Sequence, residues 1–287
     1  SIAGAVARRV ELYLDDRKVA EWASPPYRAS VAAAEVEKAT LMRASAWDAE
    51  GKEYSDFRML KGDSRFLATA EVNLVELNVS VFDAAGLFAK GLAKEDFTVL
   101  EDGVPQALSA FEFAESLPMA LGLVIDGSGS MDKSMPLVKQ AATEFVTSVI
   151  GEKDRGFVIE FRERPTLLAA MTTRRADLIR AIGETRAGGA TAFHDSVVLG
   201  LYQFRPLAGK KALVVLTDGK DNHSSTDWPT LKRYARTAGV PIFVIGLDLG
   251  MFDVGLKSRL KELAADTGGE AFFIGGAKEL AAIYRKI

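Results

Sequence analysis

The stretch that decides the fold is Met119–Met131, which reads MALGLVIDGSGSM. Its first part, Met119–Ile125, is a continuous apolar run, and such a run next to turn residues is typical of a strand covered on both faces. The run ends in Asp126-Gly127-Ser128-Gly129-Ser130, which places one carboxylate and two hydroxyls at the carboxyl end of the strand. Because glycine tolerates backbone angles that other residues avoid, Gly127 and Gly129 let these side-chain oxygens converge.

Downstream of this strand, helical and strand-like patterns alternate. Apolar residues recur at helical spacing in six segments: Val138–Val149, Asp177–Ile182, Val197–Phe204, Leu231–Ala238, Leu256–Ala265 and Lys278–Ile287. Strands are expected between them: Gly156–Phe161, Thr166–Met171 (at an edge), Ala212–Leu216, Pro241–Leu247 and Ala271–Ile274. This alternation predicts an α/β fold with a doubly wound, mostly parallel, Rossmann-like sheet. Ligands of such sheets bind outside the carboxyl ends of the strands.

Upstream of Pro118, apolar residues mostly alternate with polar ones. This period of two recurs at Val10–Leu14, Tyr27–Val31, Met42–Ala46, Phe57–Met59, Val75–Val81, Phe97–Val99 and Phe111–Phe113. Turn signals separate these segments, among them Asp15-Asp16 and Glu101-Asp102-Gly103, which is typical of a hairpin. Only Ala32–Lys38 looks helical in this part of the chain. The pattern predicts antiparallel strands with one buried face.

The change of pattern predicts three units. We expect a small Ig-like β domain at 1–62, a β-rich linking domain at 63–116 and the α/β domain at 117–287. Units of about 50–60 residues are marginally stable alone, so both β units are expected to pack against a neighbour. The chain starts with Ser1 rather than Met, and we expect it to be a trimmed piece of a longer protein.

Composition excludes several classes of protein. With 48% apolar and 26% charged residues, the chain resembles an average soluble globular protein rather than a disordered or coiled-coil one. The 36 basic and 39 acidic side chains give a net charge of −3 without a basic stripe, which argues against a nucleic-acid partner. The absence of cysteine excludes disulfides, thiolate nucleophiles and Cys-based zinc sites. No apolar run reaches the roughly 18–20 residues of a membrane span.

Two further loops are expected at the same edge of the sheet as Asp126. The central strand Ala212–Leu216 ends in Thr217-Asp218-Gly219, which supplies a second carboxylate, and Gly188-Gly189-Ala190-Thr191 supplies a hydroxyl just before a helix. Converging oxygens without nitrogen or sulfur suit a hard cation. Neutral hydroxyls beside few carboxylates suit Mg²⁺ better than a fully caged Ca²⁺.

These three spaced motifs resemble those of a von Willebrand factor type A (VWA) domain over roughly Leu117–Ile287. The resemblance implies a metal-ion-dependent adhesion site in which Ser128, Ser130 and Thr191 are hydroxyl ligands, and Asp126 and Asp218 act directly or through bound water. The implied ion is Mg²⁺, with Mn²⁺ or Ca²⁺ as alternatives. In this family the chain commonly continues past the last helix, so Ile287 is not expected to be the natural end.

The upstream segments resemble other bacterial sequences. Val75–Val81, Leu92–Leu100 and Glu101–Pro105 are similar to the β-region before the VWA domain in a VWFA-related family first noted in acidobacteria. Arg9–Val19 and Pro26-Tyr27 resemble bacterial immunoglobulin-like repeats. Ig-like strands joined to a VWA domain imply an extracytoplasmic location, in the periplasm, at the cell surface or secreted.

Some residues near the predicted site have a simpler interpretation. Thr191 could be a helix N-cap instead of a ligand. His194 and His223 are expected to be exposed residues of the rim, and Asp221 an ordinary surface charge. Trp228 could equally pack inside the domain or anchor a partner.

The resemblance implies a non-enzymatic module that captures an Asp or Glu side chain of a partner protein at the metal. The alternative is a scaffold subunit of a larger cell-envelope complex, with the metal as a staple. No catalytic residue is predicted. Gly-x-Ser-x-Gly is absent around Ser128 because Asp126 stands where the first glycine belongs, and no phosphate-binding loop occurs.

Overall fold

The computed structural model describes residues 7–39, 41–49, 51, 53–60, 79, 81, 89, 91–109, 111, 118–205, 207, 209–250, 253–275 and 283. Its strands are β1 (Arg9–Leu14), β2 (Arg17–Trp22), β3 (Leu41–Trp47), β4 (Glu53–Met59), β5 (Val99–Glu101), β6 (Val104–Gln106), β7 (Met119–Asp126), β8 (Arg155–Phe161), β9 (Pro165–Thr172), β10 (Lys210–Thr217), β11 (Ile242–Leu247) and β12 (Ala271–Ile274). Its helices are α1 (Ala33–Lys38), α2 (Met135–Val149), α3 (Arg175–Glu184), α4 (Phe193–Gln203), α5 (Trp228–Ala238) and α6 (Val254–Asp266).

A six-stranded sheet in the order β12-β11-β10-β7-β8-β9 forms the centre of the α/β part. All neighbours pair in parallel except β8 and β9, which are antiparallel. The predicted doubly wound, mostly parallel sheet is therefore confirmed, with Thr166–Met171 in an edge strand. From β7 the chain continues to β8 and β9 on one side of β7, and it returns at β10, which pairs with the other side of β7. The crevice of a doubly wound sheet opens at this point, beyond the carboxyl ends of these two strands.

Strand β7 is covered on both faces, as its apolar run predicts. Leu121, Leu123 and Ile125 pack in one hydrophobic cluster with residues of α2, whereas Ala120 and Val124 pack in the opposite cluster with residues of α4. Alternate side chains of a strand point to opposite faces, so each face contributes to a separate core layer. This double burial fixes the position of the residue that ends the strand.

An antiparallel sheet precedes the α/β part. Its four strands lie in the order β2-β1-β3-β4. The alternation predicts β1, β3 and β4, whereas β2 was not predicted. Strand β4 lies beside β9, where the Asp56 carboxylate pairs with the Arg164 guanidinium. The Tyr202 hydroxyl lies 2.8 Å from the carbonyl oxygen of Asp15, in the turn between β1 and β2. The four-stranded sheet therefore packs against the α/β part at two places.

The hairpin predicted at Glu101-Asp102-Gly103 is present between β5 and β6. Asp102 and Gly103 have φ angles of 50° and 82°, and positive φ at both central residues is typical of a type I′ turn. The strand that pairs with β5 is β6, and of the predicted return strand Phe111–Phe113 only Phe111 lies within the described residues. The centroid of the Phe111 ring lies 5.3 Å from that of the Phe97 ring.

One predicted strand is wrong. Tyr27–Val31 has no regular secondary structure, and Tyr27 and Ala29 are exposed. An alternating pattern forms a strand only where a neighbouring strand and a buried face are available. The expected strand at Val75–Val81, the boundary near Gly62 and the expected helix at Lys278–Ile287 lie outside the described residues, apart from isolated positions. Among the described helices, none combines the length and the apolar character needed to cross a membrane.

Candidate metal centre

Three loops meet at the carboxyl edge of the large sheet. Asp126 is the last residue of β7, Asp218 comes directly after β10, and Thr191 precedes α4. The backbones of two of these loops are hydrogen-bonded to each other: Gly188 N donates to Gly127 O (2.8 Å), and Gly129 N donates to Gly189 O (3.2 Å). The approach of these glycines thus joins the Asp126 loop to the segment that carries Thr191.

Asp126 lies at the bottom of the site and is fully buried. Its Oδ1 accepts a hydrogen bond of 2.8 Å from Ser128 N, and its Oδ2 accepts one of 2.6 Å from the Thr217 hydroxyl. Burial raises the pKa of this carboxyl to about 6, and the hydrogen bonds from Thr217 and Ser128 oppose the rise. Asp126 is therefore a carboxylate whose charge is only partly compensated by protein groups.

A chain of hydroxyls leads from Asp126 to Asp218. The hydroxyl oxygens of Ser128 and Ser130 are 3.1 Å apart, and the Ser130 hydroxyl donates a hydrogen bond of 2.8 Å to Asp218 Oδ1. Burial raises the pKa of Asp218, while the hydrogen bond from Ser130 lowers it. Ser130 is exposed, so this side of the site faces solvent.

Thr191 is held by its backbone. Its N–H donates to Asn222 Oδ1 (2.9 Å), and its carbonyl oxygen accepts from the N–H groups of Asn222 (3.0 Å) and His223 (3.2 Å). Its hydroxyl oxygen lies 3.8 Å from the position that a β-carbon on Gly219 would occupy, which places it beside the loop of Asp218. The N-cap of α4 is Ala192, so the interpretation of Thr191 as the cap is wrong.

The structure thus brings Asp126, Ser128, Ser130 and Asp218 into one hydrogen-bonded group, with Thr191 on the adjoining loop. Two residues that hold candidate ligands in place were not identified from the sequence. Thr217, which holds Asp126, belongs to the Thr-Asp-Gly motif and could have been found there. Asn222, which holds Thr191, comes four positions after Asp218 and carries no recognisable signal.

All five candidate side chains offer oxygen atoms only, which is the ligand type that Mg²⁺ and Ca²⁺ prefer. Within the described ranges, no three His, Cys, Asp or Glu side chains are grouped as metal ligands. Two carboxylates and three hydroxyls therefore fit a hard cation that keeps part of its water shell, and they do not fit zinc.

A model of the von Willebrand factor type A domain matches residues 121–286. The chain belongs to the VWA domain family. An uncharacterized protein of Synechocystis is 30% identical over 188 residues, which are 63% of this chain and 43% of the relative. The chain therefore spans less than half of the length of this curated relative.

Solved VWA structures share the fold at low sequence identity. A VWA protein from Catenulispora acidiphila is 21% identical, with a TM-score of 0.51 over 59% of this chain and 41% of its own. The VWA domain of the type V pili tip protein Mfa5 from Porphyromonas gingivalis is 14% identical, with a TM-score of 0.51 over 59% and 93%. The pilus adhesin SpaC from Lactobacillus rhamnosus GG is 16% identical, with a TM-score of 0.51 over 60% and 29%.

Bacterial VWA domains are typically protein-interaction or adhesion modules, and they often bind a divalent metal. Adhesion-type VWA domains are generally not enzymes. Two of these structural neighbours, Mfa5 and SpaC, are pilus proteins.

The residues around the site of this VWA domain differ in burial. His223 is exposed, as predicted, but His194 is largely buried, which corrects the expectation of two exposed rim histidines. The His194 ring packs 5.6 Å from the ring of Trp228, and its Nδ1 lies 2.9 Å from the carbonyl oxygen of Thr226. Asp221 accepts hydrogen bonds from His194 N and from the Ser224 hydroxyl, so it orders this loop rather than being an ordinary surface charge.

Proposed function

We propose that this VWA domain is a cation-dependent protein-binding module that captures an Asp or Glu side chain of a partner. The observation that carries the proposal is the continuous hydrogen-bonded group of Ser128, Ser130 and Asp218 above the buried Asp126. This group consists of oxygen ligands and is open to solvent at Ser130. Neither a nucleophile with its base nor a phosphate-binding loop accompanies it in the sequence, so we propose no enzymatic activity.

The hydroxyls of Ser128, Ser130 and Thr191 would hold the cation directly. Both oxygens of Asp126 already accept hydrogen bonds from protein groups, which favours a role through a bound water. Asp218 bonds to the Ser130 hydroxyl and would orient that hydroxyl or a bound water. When bound, Mg²⁺ would offer a coordination position to an incoming carboxylate.

Charge balance favours an acidic partner. Only two carboxylates, those of Asp126 and Asp218, belong to the candidate ligand set, so they just balance the charge of a divalent cation. A site with more carboxylates would repel an incoming Asp or Glu, whereas a cation held at this site would attract the carboxylate through its unfilled coordination position.

Since related VWA proteins belong to pili, we propose an extracytoplasmic location for this chain as well.

Titration of the metal-free whole chain with Mg²⁺, monitored by calorimetry, tests this proposal. The wild type is expected to bind one Mg²⁺ per chain, Asp126→Ala and Ser130→Ala to lose most of the affinity, and all three to remain folded by circular dichroism. Asp132→Asn is the matched control, because Asp132 is an exposed acid close to Ser130 in sequence but outside the candidate ligand set. Equal affinity of the wild type and Asp126→Ala would refute the metal site.

A second measurement addresses the partner chemistry. A Gly/Ser peptide with one central Asp is immobilised, and binding of the protein is recorded with Mg²⁺ and with chelator. Binding is expected only with Mg²⁺, and the same peptide with Asn in place of Asp is expected not to bind. If native material elutes as a stable complex in size-exclusion chromatography, and chelator does not change its elution, the result would instead favour the scaffold alternative, in which the metal is a staple.

A further inference from the structure

A buried carboxylate outside the candidate ligand set lies directly beneath the loops that carry Asp126 and Thr191. Glu160 is the penultimate residue of β8, and only 6% of its side chain is exposed. A glutamate is rarely buried to this extent unless it is paired or hydrogen-bonded, because transferring its charge from water is costly. Its contacts therefore indicate its role.

The Glu160 side chain touches two of the three loops that meet at the site. Its Oε1 accepts a hydrogen bond from the backbone N–H of Arg186, and its Oε2 lies 3.6 Å from Nε of Arg162. Its Cγ lies 3.1 Å from the position that a β-carbon on Gly127 would occupy. Glu160 is thus packed against the Asp126 loop while it binds the segment that leads to Thr191.

The hydrogen bond to Arg186 is important because the chain runs from Arg186 directly to Thr191. Residues 186–191 have no regular secondary structure, so their position depends on individual hydrogen bonds. Glu160 fixes the start of this segment, the two backbone bonds to the Asp126 loop hold its middle at Gly188 and Gly189, and Asn222 fixes its end at Thr191. Without the acceptor on Glu160, the Arg186 N–H would lose its partner, and the segment could shift relative to Ser128.

We infer that Glu160 is a positioning residue that sets the distance of Thr191 from the serine hydroxyls and thereby makes the site select Mg²⁺ over Ca²⁺. This inference rests on the proposed metal site. Mg²⁺ requires near-ideal octahedral geometry at about 2.0–2.1 Å, whereas Ca²⁺ accepts about 2.3–2.6 Å and variable geometry. A loosened Thr191 segment therefore weakens Mg²⁺ binding more than Ca²⁺ binding.

The test compares Mg²⁺ and Ca²⁺ affinities of the whole chain by calorimetry. Glu160→Ala removes the acceptor, and we expect about a 10–100-fold loss of Mg²⁺ affinity, the range found when groups that orient metal ligands are removed. Ca²⁺ affinity should change by less than about threefold, because Ca²⁺ tolerates variable ligand geometry. Glu160→Gln keeps an oxygen for the Arg186 N–H and should restore most of the Mg²⁺ preference.

The controls separate positioning from general stability. Glu11→Ala removes a comparably buried glutamate of the antiparallel sheet, with 7% of its side chain exposed, and should leave both affinities unchanged. If Glu160→Ala does not fold, Glu160→Asp is measured instead, since it withdraws the carboxylate by one methylene.

The outcomes distinguish this inference from the proposed function. A wild type that does not bind Mg²⁺ would refute the metal site and the inference with it. A wild type that binds Mg²⁺, with an unchanged ratio of Mg²⁺ to Ca²⁺ affinity in the Glu160 variants, would overturn the inference alone.

Discussion

The Thr217 hydroxyl donates a hydrogen bond of 2.6 Å to Oδ2 of Asp126, and this bond joins the carboxyl ends of β10 and β7. Both residues are fully buried. A hydrogen bond to a charged group is stronger than one between neutral groups, and its loss leaves a buried charge less compensated. The pair therefore links the stability of the sheet edge to the charge state of the candidate site.

Thr217→Val tests this link, because valine has nearly the same shape but no hydroxyl. We expect the free energy of unfolding of the metal-free protein at pH 7 to fall by about 1–3 kcal/mol in urea denaturation. Mg²⁺ affinity should fall too, because the hydrogen bond that is removed holds down the pKa of Asp126. Thr237→Val is the control, since the exposed Thr237 hydroxyl bonds only to Arg233 O of its own helix among the described residues. Equal stability of the two variants would contradict the prediction.

The raised pKa of Asp126 predicts how stability depends on pH in the absence of metal. With a pKa of about 6 in the folded protein against an ordinary value of 3.8, the folded state binds this proton more tightly than the unfolded state. The resulting stabilisation is complete below about pH 3.8 and is lost as the pH rises through about 6. The difference between these two pKa values corresponds to about 3 kcal/mol.

Asp126→Asn isolates this contribution, because the amide does not titrate. We expect the free energy of unfolding of the metal-free wild type, relative to the Asn variant, to decrease by about 2–3 kcal/mol between pH 4 and pH 8. Added Mg²⁺ should restore the wild type at pH 8 and leave the variant unchanged. Parallel pH profiles of the two proteins would show that Asp126 does not titrate as proposed.

Two glycines of the Asp126 loop are expected to respond differently to alanine. A β-carbon on Gly127 would lie 2.7 Å from the backbone oxygen of Arg186, which cannot move without shifting the segment that leads to Thr191. On Gly129 the nearest atom would be Gly189 O at 3.7 Å, an ordinary contact. We expect Gly127→Ala to cost about 1–3 kcal/mol of stability and to weaken Mg²⁺ binding, since overpacking forces backbone shifts.

Gly129→Ala serves as the matched control for this prediction. It should change stability by no more than about 0.5 kcal/mol and leave Mg²⁺ affinity nearly unchanged. Thermal unfolding and calorimetry of both variants check the pair. Similar losses in both would mean that the loop is sensitive to any added side chain rather than to the contact with Arg186.

The parts of this molecule that the sequence predicts are those with local signals. The buried run of β7 and the alternation after it predict the parallel sheet, and the sheet alone brings Asp126 and Asp218 to one edge. Turn chemistry predicts the hairpin at Asp102-Gly103, because positive φ at both positions favours these residues. Each of these features depends on a few consecutive residues or on a regular period.

The residues that hold the site in place lack such signals. Glu160 and Asn222 act through single hydrogen bonds to backbone groups that are 26 and 31 positions away in sequence. Nothing near either residue marks it, since glutamate and asparagine are common surface residues. The strand predicted at Tyr27–Val31 is wrong for a similar reason, since it too depended on a distant part of the chain. An alternating pattern does not reveal whether a partner strand is present.

A last prediction concerns the contact between the antiparallel sheet and the VWA domain. The Tyr202 hydroxyl, on α4, lies 2.8 Å from Asp15 O and 2.6 Å from Asp16 Oδ1 in the turn between β1 and β2. Tyr202→Phe keeps the ring and removes the hydroxyl, so we expect a loss of about 1 kcal/mol in the docking of this turn. Amide hydrogen exchange in β1 and β2 should accelerate about fivefold, while exchange in β7 stays unchanged.

Tyr27→Phe is the matched control, because Tyr27 is an exposed tyrosine of the same part of the chain. Its exchange profile is expected to equal that of the wild type. Helix α4, which carries Tyr202, starts directly after the loop of Thr191. Exchange in β1 and β2 is therefore also compared with and without Mg²⁺, and a difference would show that the Tyr202 contact is coupled to the candidate metal site. Unchanged exchange in β1 and β2 of Tyr202→Phe would mean that packing around the ring, rather than the hydroxyl, holds the sheet against the domain.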